Sequence, residues 1–337
     1  MKFESWYNKN YKKLLVIPAL ILALSIITIG IFYFQTGDIF NKDVSLTGGT
    51  TITIETQKLA ADLKTAISQE LSDFEVKTIS DNYGNQIQLV ITVGEIDTEK
   101  LESILEEELG YNLTSENSSK ETTSSSLSSE FYKQLIIAVI LAFFWMAAVV
   151  FMIFTKNKKT KFLTIILNIS LGFFLGKFFF KINPIISGII FVGLAAFLIR
   201  MYVKNSLPAF AVMFSAFADI IMTLAVVNLI GMKISTAGIV AFLMMIGYSV
   251  DTDILLTTRL LKRKENVNKS LYGAFKTGTT MTVTSIIAVA SALIAVYSFS
   301  SVLNQIFTIL LIGLGFDLLN TWVTNASIIK WFVENKK

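Results

Sequence analysis

The sequence predicts an α-helical polytopic membrane bundle that carries one small α+β domain on a single side of the membrane. Three observations predict it. The 337 residues are 53% hydrophobic and only 16% charged, with a mean hydropathy of +0.62, too apolar to solvate as a soluble or a disordered chain. Eight separate apolar stretches are each long enough to cross a hydrocarbon core. The charge is divided: residues 37 to 130 hold 18 acidic residues against 6 Lys, a net −12, which leaves +16 for the remainder of a chain whose total is +4. Cys and His are both absent, which excludes a disulfide framework, thiolate chemistry, a His-dependent triad and the commonest transition-metal ligand. No metal and no cofactor is expected.

The first span is residues 14 to 34, 21 uncharged residues preceded by Lys2, Lys9, Lys12 and Lys13. A signal peptide is the rival reading, but the stretch is longer than an h-region and lacks a small-x-small cleavage site, so an uncleaved anchor is expected. Further spans are 135 to 154, 162 to 180, 182 to 202, 208 to 230, 234 to 257, 279 to 299 and 304 to 329. Basic clusters follow alternate spans: Lys156, Lys158, Lys159 and Lys161, then Arg200 and Lys204, then Lys262, Arg263, Lys264 and Lys269, and finally Lys336 and Lys337. By the positive-inside rule both termini are cytoplasmic and residues 37 to 131 extracytoplasmic. Lys177 and Lys181 interrupt the pair 162 to 202, so a re-entrant or interfacial hairpin is the alternative there. The organisation is therefore 1 to 36, N terminus and first span; 37 to 131, acidic domain and tether; 132 to 154, second span; 155 to 204, a hairpin; and 205 to 337, a four-span bundle.

Within the acidic domain, TTITIET (50 to 56) alternates as a strand, and KLAADLKTAISQELS (58 to 72) puts Leu59, Leu63, Ala66, Ile67 and Leu71 on one helical face. EVKTIS (75 to 80) and QIQLVITV (86 to 93) are strands around an Asp81 to Asn85 turn, and 97 to 110 is a helix capped by Asp97 and stopped by Gly110. The result is βαββα, half of a ferredoxin-like sandwich. Residues 111 to 130 are Ser/Thr-rich and expected to be a flexible tether. Asn112 and Asn117 lie in glycosylation sequons.

The informative residues are acids in apolar surroundings. Asp219 is about 11 residues from either end of its span, where an ionised carboxylate costs about 2.5 to 3.5 kcal/mol and persists only if protonated, paired or facing water. A buried carboxyl that merely fixes helix packing is the plain alternative. Asp251, Asp253 and Arg259 share the next span; at about 100° per residue Asp251, Leu255 and Thr258 lie on one face and Asp253 nearly opposite. Arg259 lies about 12 Å further along the axis, where an interfacial anchor is the alternative role. Asp317 is near mid-depth of the last span, with Asn320, Thr321 and Asn325 extending a polar stripe. With no His in the chain, carboxylates are the available proton carriers. An intramembrane aspartyl protease is excluded, because Phe316 separates Gly315 from Asp317 and Ala218 precedes Asp219. Phosphate-binding Gly loops and basic, aromatic nucleic-acid patches are absent, so the chain reads as a transport subunit and not as an enzyme.

At Thr47-Gly48-Gly49-Thr50, opening the outer domain, and at GYSVDTDILLTTRLLKR (247 to 263), the chain resembles the SecF family, subunits of the SecDF protein-export complex within the resistance-nodulation-division superfamily. The wording after Gly247-Tyr248-Ser249 is similar to the archaeal branch. The resemblance covers 1 to 154 and 205 to 337 and implies a six-helix core with an inserted hairpin at 155 to 204. It also implies a SecD partner, a neighbouring SecY-containing translocon, exported preproteins as cargo, membrane lipids and no nucleic acid. Function would be coupling of the proton motive force to export across the cytoplasmic membrane, with Asp219 and Arg259 matching the family's relay positions and Asp251, Asp253 and Asp317 as further candidates. Many bacterial members read Asp-Phe before Thr-Gly-Gly-Thr, His-Asp, and Asn-Asp after GYS-x; here stand Ser45-Leu46, Ala218-Asp219 and Asp251-Thr252, so a bacterial relay is not copied whole. Sodium is the alternative coupling ion, because oxygen ligands also serve it. An RND half-transporter of lipids or small molecules, or a proton-independent structural subunit, are the alternative functions.

Overall fold

The computed structural model describes residues 2–71, 74–81, 85–94, 98–262, 266–296 and 301–335. The expected turn at 82 to 84, the Asp97 cap, Arg263, Lys264, the end of the seventh span at 297 to 299, Lys336 and Lys337 lie outside them.

Among the described residues, eight helices are long and apolar enough to cross a membrane. An amphipathic helix α1 (Lys2–Leu14) runs into α2 (Val16–Thr36), which ends at Gly37 in the left-handed conformation. Then, beyond the sheet domain, come α6 (Ser125–Phe154), α7 (Lys158–Lys177), α8 (Pro184–Asn205), α9 (Leu207–Leu229), α10 (Thr236–Lys262) and α11 (Val267–Val296). The last span is α12 (Ser301–Leu319), a π-helical turn (Asn320–Asn325) and α13 (Ala326–Asn335) in succession. The interrupted pair forms two continuous helices of 20 and 22 residues, capped by the side chains of Asn157 and Asn183. They pack on α6 and α9 through Leu171, Leu175, Leu198 and Tyr202. Helices α9 and α10 are the most buried spans and form the centre of the bundle; α2 and α11 bury the smallest share of their residues.

A short helix α3 (Val44–Thr47) leads into β1 (Gly49–Glu55), followed by α4 (Ala60–Glu70), β2 (Phe74–Ser80), β3 (Gln86–Val93) and α5 (Thr98–Leu109). A fourth strand, β4 (Ser118–Thr123), pairs antiparallel with β1 from Gly49 opposite Thr123 to Ile54 opposite Ser118. The sheet order β2-β3-β1-β4 is the whole split βαββαβ sandwich, not half of one. Residues 118 to 123 are therefore a strand where a tether was expected, and Ser124 accepts from the Leu127 amide as the cap of α6. Hydropathy misses β4 because SSKETT has no apolar alternation; what holds it is the backbone edge of β1. Ile52, Ile54, Leu63, Ile67, Leu89, Ile91, Leu101 and Leu105 fill the space between sheet and helices, each no more than 1% exposed.

The Thr47-Gly48-Gly49-Thr50 motif has a steric reason. Gly48 has φ +88°, and a Cβ there would lie 2.4 Å from the Ser125 backbone; at Gly49 (φ +153°) it would lie 2.2 Å from the Val93 carbonyl. Only glycine lets the start of β1 pass between the start of α6 and the end of β3. Thr50 is fully buried and its hydroxyl hydrogen-bonds those of Thr98 and Thr122. The segment that leads into the sheet domain is tied to the end of α9 and the loop before α10: Asp43 donates its amide to the Ile234 carbonyl, Ile234 donates to Asn41, and Asn228 donates to Ile39.

Candidate functional site: a carboxyl cluster in the bundle core

Helix α9 turns Ser215, Ala216, Ala218, Asp219, Met222 and Thr223 inward, a face of mostly small side chains that admits its neighbours closely. Helix α10 opposes it with Ser249, Asp253, Thr257 and Leu260. At Gly313 of α12 a Cβ would sit 2.0 Å from the Met245 sulfur, so the absence of a side chain there lets α12 close on α10.

These approaches bring three carboxyl groups together. Asp219 and Asp253 are 0% exposed and Asp317 1%, and the three lie within electrostatic reach of one another. Asp219 accepts from Ser249 Oγ at 2.6 Å and from Asn320 Nδ2 at 2.7 Å. Asp253 accepts from Asn325 Nδ2 at 2.8 Å, and Asp317 from Thr321 Oγ1 at 3.1 Å. Thr324 donates to Asn320 Oδ1 at 3.0 Å, which orients that side-chain amide with its NH2 toward Asp219. The second oxygens of Asp253 and Asp317, together with Ser215 Oγ and Asn325 Oδ1, are buried without a hydrogen-bond partner among the described residues.

The polar stripe on the last span needs more than helical spacing. In an α-helix residues 320 and 325 lie about 140° apart. The π-helical turn spanning Asn320–Asn325 brings residues five apart into near alignment, so Asn320 reaches Asp219 while Asn325 reaches Asp253. No signature in the sequence announced this turn; a polar run of Asn and Thr inside an apolar span was the available sign.

Two candidates stand elsewhere. Asp251 is exposed on the opposite side of α10, as the spacing required, and has no hydrogen-bond or ion-pair partner among the described residues. Arg259 donates from Nη1 to the Gly273 carbonyl at 2.7 Å and to Thr277 Oγ1 at 2.9 Å, tying α10 to α11. It lies ten residues beyond Ser249, about 15 Å along the helix, too far to touch Asp219. Asp253, expected to point away from any site shared with Asp251, is the carboxyl of α10 that joins Asp219. A crevice of about 320 Å³ between α2, α9 and the last span is lined by Pro18, Leu22, Phe214 and Ala218 and ends on Asn320 and Thr324, which brings the bundle's lateral surface close to the cluster.

A second polar arrangement was not visible in the linear sequence. Lys330 of α13 is 1% exposed, with Nζ 5.5 Å and 4.8 Å from the ring centres of Tyr7 and Tyr11 and hydrogen-bonded to Asn8. Tyr11 donates to Glu334 at 2.7 Å. The amphipathic α1 is thereby clasped to the end of the last span. The available signal was the spacing of Tyr7 and Tyr11, one helical turn apart.

Comparison with known proteins follows the same geography. Residues 175–335 match the family described as protein export membrane protein SecD/SecF, C-terminal. That match begins near the end of α7 and runs through the whole carboxyl cluster. The chain is 40% identical over 148 residues to the protein-export membrane protein SecF of Pyrococcus furiosus, covering 44% of this chain and 49% of that one. It is 44% identical over 142 residues to SecF of Methanocaldococcus jannaschii, covering 41% and 50%. The aligned region is about half the length of these curated relatives. Among solved structures it is similar to the crystal structure of SecDF, a translocon-associated membrane protein, from Thermus thermophilus, with a TM-score of 0.58, 15% identity, and coverage of 98% of this chain and 38% of that one. At that identity the likeness is one of fold.

Proposed function

We propose that the chain, whose residues 175–335 match the SecD/SecF C-terminal family and which is 40% identical over 148 residues to an archaeal SecF, is a SecF-type accessory subunit of the protein translocase. In this reading it pairs with a SecD-type subunit beside the SecY channel and couples the proton motive force to export of preproteins. The observation that carries the reading is the buried trio Asp219, Asp253 and Asp317. Three adjacent carboxyls with no cation among them are costly to ionise together, and the oxygens of Asp253 and Asp317 that lack a donor are natural seats for a proton or a water. Asp219 is the principal proton site, Asp253 and Asp317 share the proton with it, and Arg259 acts on the cluster only through the position of α10 against α11.

The energy scale is adequate. One proton crossing about 100 mV supplies about 2.3 kcal/mol, which biases a two-state movement about fifty-fold. The sheet domain is the moving part, with both termini of the chain cytoplasmic. Asp219→Asn tests the reading in cells: preprotein export falls at least about tenfold toward the level without the subunit, while the complex with SecD still assembles. Unchanged export with normal assembly removes the proton role. It would leave a structural subunit, the reading favoured by the hydrogen bonds that Ser249 and Asn320 already make to Asp219.

A further inference from the structure

Helix α10 has a second face that the described residues of this chain do not cover. Val240, Met244, Gly247, Tyr248 and Asp251 are all exposed, and at about 100° per residue they fall within one arc of roughly 100°. The arc is continued by Leu255 and Thr258, which are partly exposed. Asp251 lies 15 residues from the start of α10 and 11 from its end, near the middle of the span, and its short side chain does not snorkel from there. Against lipid an ionised Asp at that depth costs about 2.5 to 3.5 kcal/mol. Exposed hydroxyls on the neighbouring α11 carry no such cost: Thr280, Thr284 and Ser291 each donate to a carbonyl of their own helix at 2.7 to 2.8 Å. Asp251 has nothing equivalent among the described residues. Beside it, a Cβ at Gly247 would meet no atom within 4 Å, so another helix can approach the backbone closely there.

We infer that this face is the docking surface for a transmembrane helix of a different polypeptide, which presents a Lys or Arg at mid-depth to the Asp251 carboxylate. The charge selects the occupant. An apolar helix or an acyl chain leaves the carboxylate unpaired, whereas a basic side chain supplies charge-assisted hydrogen bonds in a medium of low dielectric. A second copy of this chain is disfavoured, because a two-fold axis along the membrane normal through this face sets Asp251 against Asp251. The inference deepens the partner half of the function proposed above and is independent of any proton chemistry at Asp219.

The chain has no Cys, so Tyr248→Cys and Met244→Cys each introduce the only thiol. In native membranes, with the full chain at its natural level, each is coupled to a benzophenone maleimide and irradiated. Ile189→Cys on α8, a helix that packs on α7 and α9, is the control. The expected result is a cross-link from both α10 positions, and not from the control, to one other membrane protein through a helix carrying Lys or Arg. Asp251→Asn, which keeps the shape of the side chain, lowers recovery of that protein after solubilisation at least about tenfold. Cross-links only to lipid or to a second copy, or equal recovery with Asp251→Asn, overturn the inference. If a SecD-type subunit is recovered but cross-links elsewhere, the docking face falls and the proposed function stands. If the α10 positions cross-link instead to a basic helix of an unrelated membrane protein, the docking face stands and the proposed function falls.

Discussion

The two faces of α10 hold two carboxyls two residues apart in opposite circumstances. Asp253 faces inward, is wholly buried and accepts from Asn325; Asp251 faces outward, is exposed and has no partner among the described residues of its own chain. The difference lies in what the neighbouring elements offer. Helix α9 supplies small residues and hydroxyls to the inner face and the π turn supplies amides, so its acids are solvated by the protein itself. The outer face meets no described helix of this chain, so whatever solvates Asp251 comes from another molecule. A membrane helix with acids on both sides is thus at once a core element and an unfinished interface.

The strongest blow to this contrast is insertion of one Ala after Val323. The added residue rotates everything beyond it by about 100°, withdraws Asn325 from Asp253, and lowers the stability of the purified chain in detergent by about 3 kcal/mol or more. A thermal unfolding midpoint close to wild type would mean that the helical register beyond the π turn does not hold the cluster. Next in size, Asn325→Leu or Asn320→Leu takes a donor from Asp253 or Asp219 and is expected to cost about 1 to 3 kcal/mol each in the same measurement. The smallest effect sharpens the comparison: Asp251→Asn shifts the isolated chain by less than about 0.5 kcal/mol, whereas Asp253→Asn costs about 1 kcal/mol or more because Asn325 then faces an amide. Equal shifts for the two substitutions would erase the distinction between the faces.

Much of this architecture was legible beforehand. Eight spans follow from hydropathy, since no bilayer-crossing helix can hide its composition. The opposition of Asp251 and Asp253 follows from helical geometry alone. Strand β4 was not legible, because SSKETT pairs through its backbone and carries no apolar alternation. The site was half legible: Asp219 and Asp317 stand out as acids at mid-span, but their association with Asp253 depends on how closely α12 approaches α10 at Gly313. The buried Lys330, held over Tyr7 and Tyr11, joins residues more than 300 positions apart, a separation that local pattern does not report.

The sequence by itself determined which segments are apolar enough to enter the membrane, which carboxyls they carry and on which side of its own helix each one sits. These are consequences of composition and of a fixed rotation per residue. Only the tertiary structure decided that Asp219, Asp253 and Asp317 share one buried cluster, that a π turn aims two asparagines into it, and that Asp251 is left outside. Those outcomes depend on distances between helices, and such distances are set by steric details such as Gly313, where a missing methyl group leaves room for the Met245 side chain between α12 and α10.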